Sequence, residues 1–137
     1  MDKHSKSQRS KNMQAVKSSG SKIEQLLGKA MWAKGLRYRK NYKKVFGKPD
    51  FVFIGKKVAV FCDSEFFHGK HWETKKHKIK SNQSFWYKKI ERNIERDIEV
   101  NTFLIKNNWT VIRFWGKEIR HNPKTCAEIV EANLKKK

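Results

Sequence analysis

Two β-rich runs, Asp50-Phe51-Val52-Phe53-Ile54 and Lys57-Val58-Ala59-Val60-Phe61-Cys62, stand on either side of Gly55-Lys56, a tight-turn signal. The centre of the sequence therefore reads as two adjacent strands, and the other elements are read outward from them. Ser21-Lys22-Ile23-Glu24 matches a capping box, and Ile23, Leu26, Leu27, Ala30 and Met31 follow at helical spacing until Gly35, which predicts a helix over 22–34. Leu36-Arg37-Tyr38-Arg39-Lys40 alternates and adds a strand before the pair. Trp86, Ile90, Ile94 and Ile98 recur every four residues, Leu104 and Ile105 extend the stripe to a helix ending near 106, and Asn93 and Asp97, on one face with Trp86 and Ile90, border it. A fourth strand follows over 109–115, and Asn122-Pro123 is a cap and first-turn pair for a last helix. The order α-β-β-β-α-β-α predicts one α/β domain over 21–137, preceded by a flexible basic arm over 1–20 with a short helical possibility at 9–16.

Charge narrows the partner. There are 33 Lys and Arg against 13 Asp and Glu, a formal net charge of +20. Such an excess repels itself in a compact chain and is tolerated mainly beside a polyanion; five Trp and nine Phe add stacking capacity, so DNA or RNA is the first hypothesis. The competing reading is a lysine-rich surface inherited from the source's general composition. A hydrophobic content of 37% still supports a core, which excludes disorder throughout. No window approaches the roughly 18 apolar residues of a membrane span, and Met1-Asp2-Lys3-His4-Ser5 does not open a signal peptide, so no membrane partner is expected. The two cysteines, Cys62 and Cys126, form neither a disulfide framework nor a CxxC pair, which fits a reducing, cytoplasmic setting.

In a chain with so few acids, their placement matters. Asp50 opens the second strand, and Asp63-Ser64-Glu65 leaves the third. If the turn pairs these strands, the carboxylates become neighbours, as Mg²⁺ requires when it takes one or two carboxylates plus phosphate oxygens. Singly, each Asp reads better as a strand-start or turn residue; together in a basic chain they read as a metal site.

Four separated stretches share a resemblance: Arg9-Ser10-Lys11-Asn12-Met13; Gly47-Lys48-Pro49-Asp50-Phe51-Val52; Val60-Phe61-Cys62-Asp63 on to Phe66-Phe67-His68-Gly69; and Phe85-Trp86-Tyr87-Lys88-Lys89-Ile90 through Asn93 to Glu95-Arg96-Asp97. In this order they resemble the very-short-patch-repair (Vsr) endonucleases over about residues 9–120. The resemblance implies a PD-(D/E)xK nuclease-like core, a mixed four-stranded sheet flanked by helices (αβββαβ plus a C-terminal helix), and Mg²⁺-dependent hydrolysis of double-stranded DNA. It implies that Asp50 is the principal metal ligand, that the main-chain carbonyl of Cys62 is a second, and that Asp63 could add its carboxylate. It also implies that His68 is the catalytic His acting on the attacking water or the leaving oxygen, a task suited to imidazole. Glu24 corresponds to an acid that orients metal-bound water, beside its capping duty. Glu24, Asp50, His68 and Asp97 map onto the set used by EDxHD homing endonucleases, while Phe66, Phe67 and Trp86 match residues that wedge into the base stack. For Trp86 the competing role is core packing.

The departures also carry information. Mismatch-repair members hold a structural zinc, but Glu65, Lys70, Trp72 and Lys117 stand at the aligned positions, so no structural zinc is expected and packing by Phe66, Phe67 and Trp72 must hold the loop. DNA phosphates are expected on Lys70, Lys75, Lys76, Lys78 and Lys80 and on Arg9 and Lys11 of the arm. No major-groove reader is visible, so specificity rests on wedging, on shape, on an additional recognition domain or on self-association. The resulting expectation is the catalytic domain of a site-specific homing or mobile-element endonuclease. The alternatives are a T:G mismatch repair endonuclease and, from another class, a non-catalytic DNA-binding protein.

Overall fold

The computed structural model describes residues 21–137; the N-terminal arm, with Arg9, Lys11 and the helical possibility at 9–16, lies outside the described residues. Helix α1, Lys22–Ala33, starts where the Ser21 hydroxyl accepts the Glu24 N–H at 3.4 Å. It ends as Gly35 turns to φ +82° and the Leu36 N–H reaches back to the Met31 carbonyl at 3.0 Å, a Schellman closure. Leu36 is thereby spent on the helix end, and the strand expected over 36–40 shrinks to β1, Arg39–Lys40, which Asn41 terminates at φ +51°.

Strands β2, Phe51–Phe53, and β3, Val58–Asp63, pair antiparallel with Phe51 opposite Val60. Their connection is a 3-10 turn over Ile54–Lys56 closed by Lys57 at φ +54°, rather than Gly55-Lys56 alone. Beyond β3 come a short helix α2, Trp72–Lys75, a 3-10 turn over Lys76–Lys78, and the long helix α3, Gln83–Lys106. Strand β4, Thr110–Trp115, pairs parallel with β3, and the sheet order is β1-β2-β3-β4. Helix α4, Gly116–His121, and helix α5, Pro123–Lys135, complete the chain; Asn122 Oδ1 caps α5 by accepting the Thr125 N–H at 3.1 Å. Neither α2 nor α4 is long enough to show a helical period, and both escape the sequence pattern. The result is the expected α/β nuclease-like architecture.

The sheet is covered on both faces. Phe51, Phe53, Val58, Val60, Ile112 and Phe114 pack with Leu27, Met31, Ile119, Cys126 and Val130 of α1, α4 and α5. Alternate residues Val52, Ala59 and Phe61 pack against Val100 and Leu104 of α3. The buried stripe of α3 differs from the expected one: Ile90, Val100 and Leu104 are buried, whereas Ile98 is 60% exposed and Ile105 61%. A strict four-residue step gains about 40° each time on a helix of 3.6 residues per turn, so it winds off the face. Steps of three and four stay on it, through Ile90, Asn93, Asp97, Val100 and Leu104, and they bring two polar side chains onto the sheet-facing side.

Candidate active site

Asp50 leaves a constrained turn. Gly47 and Lys48 both have positive φ, +87° and +50°, the Lys48 N–H donates to the Val45 carbonyl at 3.0 Å, and Pro49 is fully buried. The turn sets Asp50 so that its Oδ2 accepts the Cys62 N–H at 2.7 Å, across the β2–β3 pair. Residues in an extended strand turn N–H and C=O toward the same neighbour, so the Cys62 carbonyl faces the Asp50 side as well. Glu24, only 2% exposed on the first turn of α1, shares a hydrogen bond with Asp50. Burial pushes the Asp50 carboxyl up to about 8, the Cys62 N–H opposes the shift, and the neighbouring Glu24 and Asp63 charges add to it. Burial and the same acids also push the Cys62 thiol far up, which makes it an inert side chain. Two hydrogen-bonded, buried carboxylates are a donor set a divalent cation fits, since its charge relieves their repulsion.

The second cluster lies at the C-terminal ends of β3 and β4. Asp97 of α3 binds His68 Nδ1 at 2.7 Å, and Asp63 Oδ1 lies 3.7 Å from the same nitrogen. Arg113 of β4 donates from Nη1 to both Asp63 oxygens at 3.1 Å, approaches Asp97 at 3.5 Å, and donates from Nε to Asn101 at 2.7 Å. Its guanidinium lies 4.0 Å from the ring centroid of Phe61. Burial pulls the His68 imidazole down, but the Asp97 hydrogen bond and the Asp63 and Asp97 charges outweigh it, so its affinity for a proton ends above the ordinary value. Burial pushes the Asp63 carboxyl up, with His68 and Arg113 only partly offsetting it. With Nδ1 held by Asp97, Nε2 is the nitrogen left to exchange a proton. Asp63, His68 and Asp97 could also hold a metal, their ligand atoms lying within 4.8 Å of one another. Arg113 already supplies positive charge there, which leaves Asp50 and Glu24 as the better cation pair.

Both clusters open into one cleft of about 480 Å³, and Glu24, Asp50, Cys62, Asp63, His68 and Asp97 all line it. Lys22, Lys48, Arg96 and Arg120 line it too. Sequence reasoning missed these cations, and Arg113 with them. The available signal for Arg113 was a charge set among apolar residues in Val111-Ile112-Arg113-Phe114-Trp115. Phe66 and Phe67 meet edge to face at 5.2 Å, and Trp86 lies 5.2 Å from Phe66 and 6.1 Å from Phe67. Phe85, also unanticipated, is 59% exposed and stacks edge-on to Trp86 at 5.2 Å. Trp86 is half-buried in this aromatic group rather than sealed in the core.

Of the aromatics expected to hold the loop, Trp72 is buried and donates to Glu91 at 3.0 Å, while Phe66 is 45% exposed. Lys75, Lys78 and Lys80 are exposed, Lys76 pairs with Glu73 at 3.1 Å, and Lys70 lies over the Trp115 ring at 5.5 Å. No helix among the described residues is long and apolar enough to cross a membrane.

Comparison with known proteins identifies the family. Residues 1–74 match the family described as DNA mismatch endonuclease Vsr. The chain is 53% identical over 137 residues to the type II nicking enzyme V.NmeDIP of Neisseria meningitidis serogroup C, covering 100% of this chain and 93% of the relative. It is 52% identical over 134 residues to the type II nicking enzyme V.HpaIIP of Haemophilus parainfluenzae, covering 96% and 95%. To the DNA mismatch endonuclease Vsr of Escherichia coli (strain K12) it is 31% identical over 134 residues, covering 97% and 85%.

Proposed function

The chain belongs to the Vsr family of DNA endonucleases, and from that premise we propose that it nicks one strand of double-stranded DNA at a mismatch, with Mg²⁺ held by Asp50, Glu24 and the Cys62 carbonyl. The observation that carries this reading is the meeting, in one cleft, of the hydrogen-bonded Asp50–Glu24 pair with the His68–Asp97 pair. Mg²⁺ bound there would supply positive charge against the phosphate oxygens and acidify a water. His68, oriented through Nδ1 by Asp97, moves a proton at Nε2, taking it from the attacking water or giving it to the leaving oxygen. Asp63, bonded through both oxygens to Arg113, is better suited to supporting His68 than to holding the metal. Phe66, Phe67 and Trp86 wedge into the base stack, while the lysines of 70–80 and the arm residues Arg9 and Lys11 bind phosphates.

The relatives' names weigh toward nicking and mismatch recognition over the homing setting that the EDxHD mapping suggests. They weigh against a purely DNA-binding role as well. A cytoplasmic setting belongs to the same reading, since the relatives named as DNA endonucleases are bacterial. The test is nicking of duplexes with and without a T:G mismatch, in Mg²⁺ or EDTA, by the parent chain and Asp50→Ala. Cleavage that needs Mg²⁺, prefers the mismatch and falls at least ~100-fold in the variant is expected, because the variant removes the principal charge of the metal site. Equal cleavage of matched and mismatched duplex would return the homing setting to first place.

A further inference from the structure

The loop 64–71 carries Phe66, Phe67 and His68, and three contacts fasten it besides the His68–Asp97 bond. Asn93 Nδ2 donates to the Phe67 carbonyl at 2.9 Å. Gly69, at φ +67°, lets the chain run so close to α3 that a Cβ there would stand 2.4 Å from Ile94 Cδ1. The third point is Glu65, whose Oε2 accepts the N–H of Lys117 at 2.7 Å, from a residue 52 positions later. Its Oε1 lies 3.6 Å from Arg120 Nη2, and Gly116 leaves room beside it, since a Cβ there would stand a tight 3.2 Å from that oxygen. The main chain of Glu65 is tied as well: its carbonyl accepts the Lys70 N–H at 2.9 Å, so the loop closes on itself at the anchored residue.

This contact is charge-assisted and satisfies a helix-end donor. The acceptor is a carboxylate, and the Lys117 N–H belongs to the first turn of α4, where a donor has no acceptor within the helix. The junction it reaches follows directly on β4, the strand whose Arg113 holds Asp63 and Asp97 around His68. Glu65 therefore links the loop that carries His68 to the strand that supports its acidic partners. Resting on the endonuclease reading above, we propose that Glu65 is a positioning residue, its carboxylate latch on the β4–α4 junction setting His68 and the Phe66–Phe67 pair in register with Asp50 across the cleft.

The test uses the whole chain with Glu65→Ala, Glu65→Gln and, as a control for the active site, Asp50→Asn. Single-turnover nicking is read together with hydrogen exchange over 64–71 and at Lys117. Glu65→Ala is expected to exchange faster in both segments, to bind matched duplex as the parent does, and to nick about 10- to 100-fold more slowly, the scale of a loosened catalytic geometry. Glu65→Gln keeps an amide oxygen for the Lys117 N–H and is expected to recover most of the rate. Unchanged exchange in Glu65→Ala would show that there is no latch. Faster exchange with a parental nicking rate would overturn the positioning role alone, as would a Gln variant no better than Ala. A parent that does not nick, or an Asp50→Asn variant that nicks equally well, would instead overturn the endonuclease site itself, and the role of Glu65 with it.

Discussion

Asp50 is held in a state that an isolated carboxyl would not choose. Its ordinary value is 3.8, and burial together with Glu24 raises it to about 8 in the folded chain. Below the ordinary value both folded and unfolded chains hold the proton, and the group adds nothing to stability. Between the two values the unfolded chain releases the proton while the folded chain keeps it, so stability falls as pH rises; above about 8 the whole cost is present. Asp50→Asn keeps an acceptor for the Cys62 N–H and cannot ionise. In EDTA, the variant is expected to melt close to the parent at pH 4 and several degrees above it at pH 8.5. Adding Mg²⁺ at pH 8.5 should raise the parent and leave the variant where it was. A gap between the two that does not grow with pH in thermal melts would show that Asp50 does not keep its proton in the folded chain. The acids of the site were legible in sequence because Asp50 and Asp63 stand at strand ends that a hairpin brings together. Arg113 was not, because a lone charge in a strand reads as a solvent-facing position until register sets it opposite Phe61 and in reach of Asp63.

At the scale of elements, local signals with a chemical cause were readable and long-range ones were not. The Ser21 cap, the Asn122-Pro123 start and the β2–β3 pairing each depend on neighbours within a few residues, and each stands where expected. On α3 the Ile90, Asn93 and Asp97 face was readable, but its continuation through Val100 depends on what the sheet presents, and the isoleucine repeat pointed elsewhere. That face is keyed to the turn before Asp50: a Cβ on Gly47 would stand 2.4 Å from Val100 Cγ1 and 2.9 Å from Cγ2. Val100 is 3% exposed and stiff about χ1, so it has little room to yield. Gly47→Ala adds the cost of a left-handed residue to this overpacking, together about 2–4 kcal/mol of lost stability. Urea unfolding should show the midpoint falling accordingly. A double variant with Val100→Ala is expected to remove the clash but not the backbone cost, so it should recover only the part that the valine causes. A midpoint unchanged in Gly47→Ala would mean that the turn moves freely, and that the setting of Asp50 does not depend on α3.

For the whole molecule, the +20 charge divides into parts with different duties. Lys22, Lys48, Arg96 and Arg120 stand around the cleft, Lys75, Lys78 and Lys80 are exposed on the segment from α2 to α3, and the acids Glu24, Asp50, Asp63 and Asp97 converge inside. Cations on phosphates release counterions and give affinity without reading bases, whereas rings that enter the stack act on local base geometry. The two contributions should therefore separate in a salt titration. If about six phosphates are engaged, affinity for any duplex falls on the order of 1,000-fold between 50 and 200 mM salt. Replacing Lys75, Lys78 and Lys80 together by Gln should lower the slope of log affinity against log salt by about 2.7, at roughly 0.9 per phosphate contact. The ratio of mismatched to matched binding should stay as it was, and so should the nicking rate at saturating DNA, because none of the three lines the cleft. A parental slope in the triple variant would place the phosphate path on the cleft-rim cations instead. A changed mismatch ratio would make the lysine segment part of recognition rather than of grip.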